Sequence, residues 1–340
     1  MKKLLYLLLC FFIISSTSLP VYANTDSLIS SEDLLNPYVK AFVEDLKSKN
    51  IRFENVVHTG DMTISSLKEY YNLDIELATQ LTQITGNNIY KTLVSSVSKE
   101  DKIQAMKLVI NDFKELLDSN MKLNIWKFFD RYAIDSADED VIEFYRSLSN
   151  EIKDQIQTRY TYNGSTAATW ARNNYNVYSP MFPNMNDMGG DCANFVSQAL
   201  NQGGISMFNT WYCYRNNTTY PKPANTTQLD YSWNLADPSP WISAVQFQYF
   251  WASRCTYYEY TSTDYISNHA TIYTQPIVFG DVIVFFSGTV WWSSPSHVVI
   301  ITAYDTVNKD FKYSGHNNDR LNKPLLDVIG DYYRVRFICI

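Results

Sequence analysis

Apolar and polar positions follow one rhythm up to about residue 160 and another beyond it. In "DKIQAMKLVINDFKELLDSN", Ile103, Met106, Val109, Ile110, Phe113, Leu116 and Leu117 recur at helical spacing and fall on one face. The stretch "SADEDVIEFYRSLSNEIKDQIQTRY" repeats the pattern with Val141, Phe144, Tyr145, Leu148, Ile152 and Ile156. It opens with Ser136 and Glu139 at the spacing of a capping box. Stripes of this width are what a helical bundle buries, so residues 24–160 are predicted to form a mostly helical accessory domain. His58, in "VVHTGD", reads as a loop or strand-end histidine without chemistry.

From residue 161 the charged helical faces fade, while aromatics, asparagine, threonine and serine rise. Helices are predicted at "STAATWARNNY", over 192–202, and at "PWISAVQFQYFWAS". The runs "GDVIVFF", "HVVIITAYD", "DFKYSGH" and "DYYRVRFICI" then read as strands, rich in β-branched and aromatic residues and separated by turn formers such as "VNKD". Helices first and an antiparallel sheet afterwards predict an α+β domain over residues 161–340. The stretch "RNNTTYPKPANTTQ" reads as a surface loop.

The N-terminal stretch "MKKLLYLLLCFFIISSTSLPVYA" pairs a short basic start with an apolar core that is brief for a membrane span. Residues 1–23 are therefore expected to be a signal peptide, and the mature chain to be secreted, with no membrane association after cleavage. A formal charge of −7 without any basic block argues against a general nucleic-acid binder, which must neutralise phosphates. Hydrophobic content of 46% excludes wholesale disorder. Cys192, Cys213, Cys255 and Cys339 lack the close paired spacing of a zinc site, so no metal is expected, and the last three read as packing residues.

Cys192 is different. It stands in "GGDCANFVSQALNQGG", where Phe195, Val196, Ala199 and Leu200 form an apolar stripe and Gly203–Gly204 supply a stop. Asp191 is the natural N-cap, which places the thiol in the first turn. There the unpaired N–H groups and aligned peptide dipoles favour a thiolate, the nucleophilic form, although the Asp191 charge opposes it. A small buried residue at a helix start is the structural alternative. A thiolate nucleophile works best with a histidine that accepts and returns a proton. His297 opens the apolar run "HVVIIT" and is the candidate base, whereas His269 sits in a polar stretch. A third polar group would orient that base. "YSGHNNDR" offers His316, Asn317, Asn318 and Asp319, with His316 the first choice and the others open.

The ordered set "GGDCANFVSQALNQGG", "GDVIVFF", "SHVVIIT" and "YSGHNNDR" resembles the putative amidase domain family of secreted Gram-positive bacterial proteins. That family is similar to the papain-like NlpC and CHAP cell-wall hydrolases. The resemblance implies a papain-like fold, with the cysteine helix packed on an antiparallel sheet. It implies Cys192 as nucleophile, His297 as base and His316 as the third polar position. Asp191, Asn318, Trp291 and Trp292 are candidate supporting or substrate-lining residues; packing is the alternative for the tryptophans. The backbone N–H of Cys192, or the Asn186 side chain, would face the oxyanion. The family often has a second cysteine where this chain has Ala199, and a bulkier residue where it has Gly164. The expected partner is a cell-wall peptide or peptidoglycan, and no cofactor is implied. Two rivals use the same scaffold: a non-catalytic wall- or protein-binding module, and an acyl transferase acting through the same thiol.

Overall fold

A computed structural model describes residues 29–53, 63–113, 119–155, 161–289 and 291–340. The expected signal peptide, His58, Leu116, Leu117 and Ile156 lie outside the described residues.

Among the described residues, the first half is built of α1 Pro37–Ser48, α2 Thr63–Thr85, α3 Ile89–Val94, α4 Lys99–Phe113, α5 Ser119–Ser136 and α6 Glu139–Gln155. The start of α1 follows from its sequence. Asn36 accepts the amides of Tyr38 and Val39, and Pro37 occupies a first-turn position where no N–H is missed. The periodic stripes are the buried faces. Met106, Val109 and Phe113 are inside on α4, as are Val141, Tyr145, Leu148 and Ile152 on α6, while Phe144 is partly buried. The Ser136 cap is corrected. Ser136 closes α5 and donates to the Ala133 carbonyl, and it is Asp138 that accepts the first-turn amide of Val141. The extra turn arises because Ala137 adopts a left-handed φ of 57° between the two helices.

The second half has five helices: α7 Gly164–Asn174, α8 Cys192–Gln202, α9 Thr226–Ser232, α10 Ala244–Ala252 and α11 Ser262–Ile272. Its strands are β1 Cys213–Arg215, β2 Trp233–Leu235, β3 Thr256–Thr261, β4 Val282–Ser287, β5 Ser294–Asp305, β6 Asp310–Gly315, β7 Arg320–Pro324 and β8 Arg334–Cys339. β1 and β2 form a small ribbon, and the other six make one sheet in the order β3-β8-β4-β5-β6-β7. Its strand pairings are antiparallel, as expected of an α+β domain. The four predicted strands became β4, β5, β6 and β8. β3 and β7 are edge strands with half-exposed side chains, so neither carries a full apolar run.

Strand alternation sorts the sheet into two faces. Val282, Val284, Phe286, Val298 and Ile300 join the cluster that holds Ala167, Ala171, Cys192, Phe195 and Val196 of α7 and α8. Ile283, Phe285, Val299 and Ile301 point the other way, into a second cluster with Tyr265 and Ile272 of α11. The first cluster also contains Phe42, Trp126 and Phe129, so the helical half shares its core with the sheet.

That shared core includes charge. Arg336 of β8 is 1% exposed and bonds Asp130 of α5, Glu259 of β3 and Gln248 of α10. Arg131 reaches the Tyr249 hydroxyl, and the Tyr145 and Tyr257 hydroxyls meet at 2.6 Å.

Candidate active site

Cys192 is the first residue of α8, and its side chain is 0% exposed, among apolar groups of the sheet-facing cluster. α8 packs on β5 and β6, so its N-terminus is held against the strands that carry His297 and His316. Among the described residues, burial disfavours the thiolate form of the other three cysteines. Burial pushes Cys213 well above the ordinary thiol range, and pushes Cys255 and Cys339 up to about 12.

Asp191 occupies the N-cap position but does not cap the helix with its side chain. Its carboxylate turns aside. Oδ1 accepts from the Met185 amide at 2.9 Å and from Asn194 Nδ2 at 2.8 Å, while Oδ2 lies 2.6 Å from His316 Nδ1. The expected supporting role for Asp191 therefore takes the form of an anchor. A carboxylate that also capped the helix would have laid negative charge over the first-turn amides, the groups that favour a thiolate or an oxyanion.

His316 projects from the end of β6 onto the α8 side of the sheet. Its ring lies 4.2 Å from those of Phe195 and Tyr178. Nε2 lies 3.1 Å from the Asn174 carbonyl oxygen. A backbone carbonyl only accepts, so Nε2 donates, and Nδ1 is engaged by Asp191. No ring nitrogen remains to orient His297, and this corrects the part foreseen for His316. The cause is strand alternation: neighbouring residues of β6 face opposite sides, and only Gly315 looks toward His297. A Cβ on Gly315 would stand 2.9 Å from Val299 Cγ1 and 3.8 Å from His297 Nε2.

His297 stands with Val299 and Ile301 on the face opposite α8. Its ring stacks on Phe285 at 6.0 Å and an interplanar angle of 23°. Burial, then the nearby Arg320 charge, pulls its pKa down to about 4, so the ring is neutral at pH 7. A β-bulge lies immediately before it: Phe285 pairs with His297 and Phe286 with Pro295, leaving Ser296 as the extra residue.

The residues foreseen from sequence thus divide. Asp191 and His316 come together at the start of α8, and His297 lies across the sheet. Asn318 is exposed on the β6–β7 turn, and Asn186 is exposed as well. Trp292 packs edge-on against Tyr38, and Trp291 packs against Tyr132 with Lys99 over its ring. Asn317 was undervalued. Its Oδ1 accepts the Asp191 amide at 2.6 Å, and its side chain fills the space that a Cβ on Gly190 would need. Gly190 has a φ of +142°, which only glycine adopts readily. Tyr178 and the Asn174 carbonyl carried no signal in the sequence.

Among the described residues, no three His, Cys, Asp or Glu side chains are grouped to hold a metal ion, and no helix is long and apolar enough to cross a membrane. Residues 161–340, more than half of the chain, match the family model described as a putative amidase domain. Comparison with curated proteins and comparison with solved structures each gave no match.

Proposed function

Since the chain belongs to the putative amidase domain family, whose description points to hydrolysis of amide bonds, we propose that it does so through a cysteine nucleophile, Cys192. The observation that carries this reading is the start of α8. There a thiol occupies the first helical position, and the preceding carboxylate is drawn off by His316, Asn194 and the Met185 amide. The Asp191 carboxylate therefore does not lie over the first turn of α8, in a site shielded from water.

In this reading the Cys192 sulfur attacks the amide carbonyl and the thiol proton passes to His297, which must first come round from the far face of the sheet. The same ring returns that proton to the departing amine, and water then releases the acyl group. The His297 ring is neutral at pH 7, the form that accepts a proton. His316 and Asn317 hold the Asp191 loop in place. The substrate class we infer is a peptide amide of the cell wall. The family resemblance supports that choice, and the export-like N-terminus supports an extracellular setting.

The enclosure of Cys192 favours a second reading, a non-catalytic module on the same scaffold. One experiment separates the two. Purified wall is incubated with the wild-type chain and with Cys192→Ala, and the released peptides are identified by mass spectrometry. The amidase reading predicts fragments with a newly formed carboxyl end from wild type only. Equal release by both chains would refute the nucleophile. No release by either, together with retained wall binding, would favour the module.

A further inference from the structure

The tip of the β4–β5 hairpin is gripped by the helical half. Thr289 Oγ1 donates to Asp45 Oδ2 of α1 at 2.6 Å, and the Trp292 ring meets Tyr38 of α1 at 5.3 Å. Trp291 lies 5.4 Å from the Tyr132 ring of α5. Two residues before His297, Ser66 Oγ of α2 donates to the Pro295 carbonyl at 2.5 Å, and Ser294 Oγ reaches the Thr63 carbonyl at 3.4 Å. The gripped segment therefore runs straight into the bulge at Ser296 and the histidine that follows it.

A bulge re-aims the side chains beside it, and a one-residue change of register moves a side chain to the other face of a sheet. His297 faces away from α8, while Cys192 is sealed beneath it at 0% exposure. Imidazole and sulfur can meet only if the start of β5 shifts, and the contacts that oppose the shift come from helices remote from the chemistry.

We propose that the helical half is a latch: through Ser66 and the hairpin tip it holds the start of β5 in the register that keeps His297 on the far face, and release of that grip brings the ring to Cys192. The proposal rests on the reading of Cys192 and His297 as reacting groups. Ser66 and Thr289 are positioning residues in it and touch no reacting atom. The groups around the His297 ring are Phe285 from β4, Gly315 from β6 and the Arg320 charge from β7, with Tyr313 and Tyr332 packed on Phe285.

The test uses the full chain as wild type, Ser66→Ala and Thr289→Ala. Circular dichroism checks the fold, NMR of labelled histidine rings follows the His297 titration, and peptide mapping follows iodoacetamide alkylation of Cys192. In the folded variants the His297 midpoint should rise from about 4 toward an ordinary value of about 6.5. Cys192 should be alkylated about fivefold faster, the effect of losing one buried hydrogen bond. A folded variant in which either quantity fails to rise overturns the latch. Unfolding of both variants overturns it too, because a latch must release without dissolving the core. Neither readout needs turnover. Loss of the nucleophile assignment, seen as undiminished hydrolysis by Cys192→Ala, is therefore distinguishable from failure of the latch.

Discussion

Acidification from pH 7 to pH 4 removes a stabilising contribution that belongs to His297. In the folded chain, burial and the Arg320 charge hold this ring's pKa at about 4. In the unfolded chain a histidine titrates at about 6.5. As the pH falls through that window the unfolded state takes up a proton before the folded state does, so the equilibrium moves toward unfolding. The contribution is complete above the unfolded value and is lost as pH approaches about 4. At about 1.4 kcal/mol per pH unit, the gap amounts to about 3 kcal/mol. His297→Gln removes the titration and keeps a polar side chain of similar reach. Urea unfolding of both chains at several values between pH 7 and pH 4 gives the comparison. Wild type should lose about 3 kcal/mol more than the variant across the window. Parallel curves would refute the reasoning, and would mean that the ring is solvated rather than enclosed on the far face. The result bears on function, because a ring kept neutral by burial is the form that can accept a proton.

Other outcomes follow from single contacts. Arg336→Ala takes the cation from the buried Asp130 carboxylate and should cost about 3–5 kcal/mol in urea unfolding, the usual penalty for one partner of a buried ion pair. Gly190→Ala puts a Cβ into the Asn317 amide at a left-handed φ. It should lower the melting temperature by several degrees, corresponding to about 1–3 kcal/mol, and slow amide hydrolysis. Glu259 is raised by burial but lowered more by Arg334 and Arg336, so its folded pKa lies below its ordinary value. Its contribution is present above the unfolded pKa and lost as pH falls through the folded one. Glu259→Gln should therefore flatten the acid limb of the stability curve.

The elements were legible where a single periodicity ruled. α8 runs over Cys192–Gln202, as its apolar stripe and glycine stop predict, and four of the sheet strands announced themselves by β-branched runs. What stayed hidden depends on register. Nothing in "SSPSHVVIIT" states that Ser296 is an extra residue in the ladder, or which side of the sheet His297 will face. The roles within "YSGHNNDR" were equally closed. Gly315 and His316 look to opposite faces, so two adjacent letters serve two different sites. Trp291 and Trp292 find their ring partners, Tyr132 and Tyr38, more than 150 residues away in the helical half. A long-range contact of that kind leaves no local pattern.

The most direct measurement is the intact mass of the protein, acid-quenched while it turns over a peptide amide. A covalent acyl adduct mapped to Cys192, and absent both from Cys192→Ala and when His297 is replaced by Gln, is the predicted result. Amide cleavage that proceeds with an unmodified Cys192, and at the wild-type rate in the alanine variant, would contradict it.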